Sequence, residues 1–336
     1  MAVNYPGVDE VLVERFDDSR PHAGKRFACI QAHSDDIPLS CGGLLAKLVA
    51  EGYRGWLIQT TNDMMCGPTS SAGETILQNE REVEALAAAL GLETPVINFG
   101  YRNHFLDEAS PLELRARLVY IFRALQIDTV ITFNPWGHGE ENPDHYVTGQ
   151  AVEAAKWMAG GDKDYPEHAL AGVQPYVVSD QWYFVGRPGQ PFNRVVDITP
   201  FIDLKVETMA LNKAQGPAGS QGSQLKQQLA SLGLELPMLG GDDDTADREY
   251  IREFGLESYK AMGAKWGCEY AERFFYIGAG GSFARDHSND KLLTMVREQA
   301  TTLQAADGGG SGSSSSREAA IAAFVKQRSA QSIYGE

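Results

Sequence analysis

The segment RFACIQAHSDDIPLS, residues 26–40, decides the fold class of this chain. It begins with a short apolar run typical of a buried strand. The run stops at a histidine and two adjacent aspartates, His33, Asp35 and Asp36, and residues 42–51 then have the composition of a helix. A buried strand that leads directly into a helix indicates an α/β protein with a parallel sheet.

The same alternation of strand and helix continues along the chain. Apolar runs and helical spacing predict strands at residues 26–32, 55–61, 95–99 and 127–134, and helices at residues 42–51, 75–90, 111–125 and 145–159. This pattern predicts a Rossmann-like three-layer α/β/α fold with a mostly parallel sheet and right-handed crossovers. With the common strand order 3-2-1-4, a ligand would bind between the carboxyl ends of the first and fourth strands.

The pattern changes beyond residue 175. Residues 176–185 and 193–198 look like further strands, for which we expect an antiparallel extension of the sheet, followed by helical segments within 201–232 and 247–276. The run ADGGGSGSSSS, residues 306–316, has the composition of a flexible linker. We therefore divide the chain into an N-terminal extension (1–24), a main domain (25–280, with a core at 25–200 and a helical part at 201–280), a helical segment (281–305), the linker (306–316) and a short helical tail (317–336).

Composition restricts the class of partner. The 336 residues include 29 basic and 45 acidic side chains, and the net charge of −16 argues against nucleic acid or an anionic membrane as the main partner. No apolar run approaches the roughly 20 residues that span a bilayer, and the first twenty residues lack the basic start and apolar core of a signal peptide. The four cysteines have no CxxC spacing and indicate neither a zinc knuckle nor a disulfide framework. These features predict a cytoplasmic protein.

Polar clusters follow the first and fourth predicted strands, the second of them in the loop at residues 134–145. Imidazole and carboxylate groups bind first-row metals, and a catalytic zinc typically has three protein ligands and one open position. His33 and Asp36 leave one strand end, and His145 in the opposite loop is the best candidate for a third ligand. Asp35 would then be a free carboxylate able to accept a proton from water. Alternatively, the aspartate pair could simply cap the next helix.

The motifs AHSDD, residues 32–36, and NPDH, residues 142–145, resemble the AHPDDE and HPDH signatures of the PIG-L or LmbE-like family of zinc-dependent N-acetylglucosaminyl deacetylases. The resemblance covers roughly residues 25–275. It implies a hydrolase that removes an N-acetyl group from a GlcNAc-like sugar or a related small amide, with Zn²⁺ or another divalent first-row metal as cofactor. The implied partner is an N-acetylated sugar or glycoconjugate. We expect no nucleic-acid partner and no membrane span, and the protein could form a homo-oligomer.

By position, the resemblance implies that His33, Asp36 and His145 hold the metal. It likewise implies that Asp35 is the general base and that Asp144 is the carboxylate that tunes the neighbouring histidine.

Asn142 departs from the family pattern because it replaces the first histidine of HPDH, which helps to stabilise the oxyanion in the family. An asparagine amide can still donate a hydrogen bond there, but it cannot carry positive charge or deliver a proton. His104 and His138 could supply that role, or each could be an ordinary polar loop residue. Ser34 and Ile37 replace the usual proline and glutamate of the first motif.

Polar side chains near the predicted strand ends are candidates for substrate contact: Asn62, Asp63, Arg102, His104 and His138. Asn62 and Asp63 could bind sugar hydroxyls or could form a turn. Trp136 could stack on a sugar ring or pack against the protein.

Other functions fit parts of the pattern. A nucleotide-binding enzyme is rejected, because the turn after the first strand carries two carboxylates instead of a glycine-rich phosphate loop. A hydrolase of a different small amide, and a relative that keeps zinc but only binds its ligand, both remain open. An intact Asp35 argues against the second of these.

Overall fold

The computed structural model describes residues 10–69, 71–215, 219–278, 294–300 and 317–324. The chain divides into two compact units, Met1–Ala279 and Gly280–Glu336. In the second unit, residues 294–299 and 317–324 are helical. The guanidinium of Arg317 donates hydrogen bonds to the carbonyls of Arg297 and Ala300, which link those two helical segments.

The first unit contains a sheet of eight strands: β1 (Leu12–Glu14), β2 (Arg26–Gln31), β3 (Arg54–Thr61), β4 (Glu93–Tyr101), β5 (Thr129–Phe133), β6 (Asp180–Phe184), β7 (Arg194–Asp197) and β8 (Ala271–Ile277). Their order is β1-β7-β8-β6-β5-β2-β3-β4. Among the described strands, β8 alone runs antiparallel to its neighbours β6 and β7. The other pairings are parallel.

The described helices of this unit are α1 (Asp36–Ser40), α2 (Gly42–Ala50), α3 (Ala72–Ala89), α4 (Pro111–Leu125), α5 (Pro143–Ala159), α6 (Ile202–Leu211), α7 (Gln221–Ser231), α8 (Asp243–Tyr250) and α9 (Glu257–Trp266). Short 3₁₀ segments lie at Leu106–Glu108, Pro166–Ala171, Thr199–Phe201 and Pro237–Leu239, and a π-helical turn lies at Ile251–Gly255. Among the described residues, no helix is long and apolar enough to cross a membrane.

The side chains of β2 show how the sheet is covered on both faces. Successive strand residues point to opposite faces of a sheet. Phe27 and Cys29 pack into one buried cluster with side chains of α2 and α3, and Ala28 and Ile30 pack into another with side chains of α4 and α5. The arrangement is therefore three layers, helices on a sheet on helices.

The predicted fold class is confirmed, including the strand order. The four predicted strands are β2, β3, β4 and β5, and they lie in the order β5-β2-β3-β4, so the order reverses between β2 and β5. Helix α4 has the predicted bounds, and Ser110 caps it by accepting a hydrogen bond from the N–H of Glu113.

The extension of the sheet differs from the expectation in one respect. Strand β6, within the predicted 176–185 segment, runs parallel to β5, and β7 runs parallel to β1. The antiparallel strand is β8, whose aromatic sequence we had not predicted to be a strand. Its alternating Phe274 and Tyr276 pack against Trp182 of β6, so tertiary contact settles the conformation of this segment.

Two further details were not predicted. The segment after β2 forms the short helix α1 before α2 begins. The helical part at 201–232 is two helices, α6 and α7, separated by a loop. Helix α1 matters most for function, because it begins at Asp36.

Candidate active site

The candidate site lies where β2 and β5 end side by side. His33 and Asp36 follow β2, and the carboxylate of Asp36 accepts hydrogen bonds from the main-chain N–H groups of Ala32, at 3.1 Å, and His33, at 2.7 Å. These bonds fold the chain into a tight turn that brings the imidazole and the carboxylate to the same side. Both side chains are buried.

Helix α5 positions His145 on the other side of the site. Asn142 caps this helix by accepting a hydrogen bond from the N–H of Asp144 at 3.0 Å. The ring of His145 stacks on the ring of Phe133 at the end of β5, with 4.2 Å between centroids and 14° between planes. Gly149 allows this approach, because a Cβ at that position would lie 2.8 Å from the carbonyl oxygen of Phe133.

Three potential ligand atoms meet between β2 and α5. One ligand atom each from His33, Asp36 and His145 lies within 4.8 Å of the other two. Nδ1 of His33 lies 3.1 Å from Nε2 of His145, which lies 3.3 Å from Oδ1 of Asp36. Ligands about 2.1 Å from a tetrahedral zinc are about 3.4 Å apart, so this spacing suits one such ion.

The outer nitrogens of both imidazoles are held by carboxylates. Nε2 of His33 lies 3.0 Å from Oδ2 of Asp144, and Nδ1 of His145 lies 3.2 Å from Oε1 of Glu140. A carboxylate accepts hydrogen bonds, so each outer nitrogen carries a proton. The inner nitrogen of each ring can bind a cation once it has given up its own proton, and an outer nitrogen held by a carboxylate is typical of metal-binding histidines.

Several hydrogen bonds hold the carboxylate of Asp144 in place. It is fully buried, and besides His33 it accepts hydrogen bonds from the N–H of His104 at 2.6 Å and the N–H of Leu106 at 3.0 Å. The histidine that it contacts is therefore His33, from the other motif, while Glu140 contacts His145.

The electrostatics favour positive charge between the ligands. Burial works to lower the pKa of His33, but its hydrogen bond with Asp144 and the charge of Asp36 outweigh burial and raise the pKa to about 9. Burial likewise opposes protonation of His145, and the carboxylates of Asp36 and Glu140 raise its pKa to about 10. A proton or a divalent ion can satisfy this demand. The donor set of two imidazoles and a carboxylate fits a divalent first-row metal.

Asp35 lies beside the three ligand residues without joining them. It occupies the N-cap position of α1, but its side chain makes no capping hydrogen bond. It lines the cavity in front of the ligands. Burial and the neighbouring charge of Asp36 raise its pKa to about 7. The capping alternative therefore does not account for this carboxylate.

A cavity of about 450 Å³ opens in front of the ligands. Its lining residues include His33, Asp35, Asp36, His145, Asn142, His104, Cys66, Glu140, Arg187 and Gln215. The wall of the cavity therefore includes residues of both predicted motifs, which are about a hundred residues apart in the chain.

Comparison with known proteins places this site in a family. Residues 28–156 match the family described as GlcNAc-PI de-N-acetylase (PIG-L), and this segment contains every residue of both motifs. Residues 28–156 therefore match a PIG-L domain.

Two curated proteins resemble the PIG-L domain and its surroundings. A diacetylchitobiose deacetylase of Thermococcus kodakarensis is 26% identical over 200 residues, which cover 57% of this chain and 71% of that protein. A 1D-myo-inositol 2-acetamido-2-deoxy-alpha-D-glucopyranoside deacetylase of a Mycobacterium species is 24% identical over 237 residues, covering 56% and 74%.

The structure of the N,N'-diacetylchitobiose deacetylase from Pyrococcus horikoshii has a similar fold, with a TM-score of 0.61, 24% identity, and coverage of 78% of this chain and 88% of that one.

The predicted substrate contacts of the PIG-L domain lie in different places. His104 lines the cavity, with its ring 6.2 Å from that of His33. Asp63 is fully buried and accepts hydrogen bonds from the N–H of Ser34 and the amide of Gln59, both at 2.9 Å. Its carboxylate supports the turn that carries the ligands.

Asn62, Arg102 and His138 lie outside the set of cavity-lining residues. Asn62 accepts hydrogen bonds from the N–H groups of Met64 and Asn103. This residue therefore forms a turn, which was the second of the two roles considered for it. The guanidinium of Arg102 lies over the ring of Phe105. His138 is exposed.

Sequence reasoning missed two charged residues of the cavity, Glu140 and Arg187. Oε1 of Glu140 lies 3.1 Å from the guanidinium of Arg187, which follows β6. The hydrogen bonds from His145 and Arg187 outweigh burial and lower the pKa of Glu140 to about 2. Glu140 could have been noticed as an acid five residues before His145. The only sequence feature that could have pointed to Arg187 is its position shortly after a predicted strand.

Proposed function

We propose that this protein is a metal-dependent deacetylase that hydrolyses the acetamido group of a GlcNAc-like sugar, with zinc as the metal. The observation that carries the proposal is the meeting of His33, Asp36 and His145 around one point, beside the free carboxylate of Asp35. The curated relatives of the PIG-L domain are named as deacetylases of diacetylchitobiose and of an acetamido-glucopyranoside. Their names support an N-acetylated sugar as the substrate class.

The proposed roles follow from the position of each group. His33, Asp36 and His145 would hold the ion, which would supply polarisation of the amide carbonyl and a lower pKa for the attacking water. Asp35 would accept a proton from that water and pass it to the leaving amine. Asp144 would keep the outer nitrogen of His33 protonated, so that the inner nitrogen stays free to bind the metal.

Asn142 would donate a hydrogen bond to the oxyanion. Its carbonyl oxygen already accepts a hydrogen bond from the N–H of Asp144, and this orientation leaves the NH₂ group as the donor of the side chain. Asn142 lines the cavity. A donor directed at developing negative charge contributes to catalysis without carrying charge itself.

The experiment combines metal analysis with acetate release from a panel of N-acetyl sugars and simple acetamides. Wild type is compared with His145→Ala and Asp35→Asn, and with Asp107→Asn as a control at an exposed carboxylate outside the cavity. We expect His145→Ala to lose the metal. Asp35→Asn should keep the metal and lose roughly 10²–10⁴-fold in kcat. The control should behave as wild type.

Each alternative has its own result in this experiment. Equal acetate release by wild type and both site variants would overturn the assignment. Release from simple acetamides but from none of the sugars would indicate a hydrolase of a different small amide. Bound metal without any release would indicate a binding protein that has kept its metal.

A further inference from the structure

A second cavity, of about 480 Å³, adjoins the candidate active site. It shares Leu39, Ser40 and Gly186 with the first cavity, and α9 and β8 supply most of its other walls. Leu39 and Ser40 belong to α1, the helix that begins at Asp36. The two cavities therefore lie side by side at the end of α1.

The second cavity is positively charged, although the chain as a whole is strongly acidic. Lys265 at the end of α9 and Arg273 of β8 both line it. Within the described ranges, neither side chain forms an ion pair with a carboxylate. The Nε–H of Arg273 donates to the carbonyl of Val185 at 3.2 Å, which holds the guanidinium at the cavity wall.

Glu272, the one acidic residue among the described residues that line this cavity, is already neutralised. Its carboxylate lies 2.7 Å from Nζ of the fully buried Lys205. It also accepts hydrogen bonds from the N–H groups of Gly43, at 3.0 Å, and Leu44, at 2.8 Å. The two remaining cations therefore dominate the field inside the cavity.

The remaining walls indicate what accompanies a charged group. Val185, Ala261, Met262 and Ala271 give the cavity an apolar surface. Gly186 lines both cavities, whereas Arg187, the next residue, lines only the first and is paired there with Glu140. Such walls fit a carbon-rich group that ends in an anion.

We propose that the second cavity binds a phosphate or carboxylate group on the part of the substrate that is attached to the N-acetylated sugar. The inference rests on the proposed function for its link to catalysis, since the acetamido group would lie at the ligand cluster while the anion lies between Lys265 and Arg273. It assigns to this protein a preference for anionic over neutral glycosides.

The test uses matched N-acetylglucosaminides whose aglycones have equal length and end in a carboxylate, a phosphate or a neutral carboxamide. The metal-loaded wild type is compared with Lys265→Gln and with Lys260→Gln, a control on an exposed lysine of the same helix that does not line the cavity. We expect wild type to favour the anionic substrates by about tenfold in kcat/KM, mainly through KM. Lys265→Gln should reduce that preference at least threefold, and added salt should weaken it. Comparison of the two anions shows which one fits better.

A binding measurement separates this inference from the proposed function. The corresponding amino sugars, which carry no acetyl group, are titrated into the same three proteins by calorimetry. If wild type hydrolyses no substrate but binds the anionic amino sugars more tightly through Lys265, the anion site stands and the proposed function falls. The inference is overturned if wild type binds charged and neutral ligands equally, or if Lys260→Gln has the same effect as Lys265→Gln.

Discussion

Two buried carboxylates lie on either side of helix α1: Asp36 is its first residue, and Glu272 of β8 binds the first turn of α2, which follows it. The two differ in what balances the charge. Asp36 accepts two main-chain hydrogen bonds and faces two imidazoles. Glu272 also accepts two main-chain hydrogen bonds, but it faces Lys205, whose Nζ in addition donates to the carbonyls of Pro38 and Leu39.

The comparison separates an ion cluster that stabilises the fold from a candidate metal site. Lys205 supplies a permanent counter-charge from within the chain, because the charge of Glu272 outweighs burial and raises the pKa of this lysine. At Asp36 the counter-charge comes from groups that can give up a proton to bind a metal. A buried carboxylate balanced by a fixed cation stabilises the fold, whereas one balanced by exchangeable groups can hold an ion.

The largest expected effect comes from removing the metal, which alters only the first end of α1. Treatment with a strong chelator should reduce acetate release by about 10³-fold or more, because the reaction loses both its polarising ion and its acidic water. Far-ultraviolet circular dichroism should remain unchanged, since Lys205 still holds the other end of the helix. Added Zn²⁺ should restore activity. Full activity in protein shown to be free of metal would contradict the comparison.

Next in size is the loss of the fixed cation. Lys205→Met leaves Glu272 buried without a counter-charge, and we expect the free energy of unfolding in urea to fall by about 3–5 kcal/mol. Lys226→Met is the control, because Lys226 pairs at 3.1 Å with Asp243, whose side chain is more than half exposed, and an exposed ion pair contributes about 0–1 kcal/mol.

Adding Glu272→Gln to Lys205→Met sharpens this prediction. The double variant should recover part of the lost stability, because no unpaired charge then remains buried. If the double variant is no more stable than Lys205→Met, the damage comes from lost packing and not from charge.

A smaller effect is expected from Asp144→Asn, which changes only the support of a ligand. An amide cannot hold the outer nitrogen of His33 as a carboxylate does, so metal affinity should fall about 10–100-fold. Competition with a chromophoric chelator measures this, with Asp107→Asn as the control. Unchanged affinity would mean that Asp144 serves only to order the loop at residues 103–106.

The smallest expected effect tests the contact that brings the two motifs together. Gly149→Ala would place a Cβ 2.8 Å from the carbonyl of Phe133, and overpacking of this kind costs about 1–3 kcal/mol. Gly73→Ala in α3 is the control, since its Cβ would meet only the hydroxyl of Ser71, at 4.0 Å. Equal stability of the two variants in thermal unfolding would show that α5 does not need this close approach.

The three-layer fold could be predicted because its signals are local. The apolar run of β2 and the periodic pattern of α4 can each be recognised within a short segment of the chain. Strand β8 was missed because its aromatic side chains form a strand through contact with β6, a segment about ninety residues away.

The candidate site was predictable to a lesser degree. His33, Asp36 and His145 follow strands that end at one edge of the sheet, so their meeting could be expected. The roles of Glu140 and Arg187 could not, because neither belongs to a recognisable motif. Asp63 was a candidate to bind sugar hydroxyls or to form a turn, and the fold buries it beneath the turn that follows β2.

The chain's own residues determined a parallel sheet with two polar motifs at one edge, since strand period and motif position are encoded within short segments. Tertiary structure alone decided which nitrogen of each histidine faces a carboxylate, why Asp35 is left free, and where a positively charged cavity adjoins the site. The physical reason is the separation of the interacting residues along the chain. Hydrogen-bond geometry and local charge depend on side chains that packing brings together from more than a hundred residues apart.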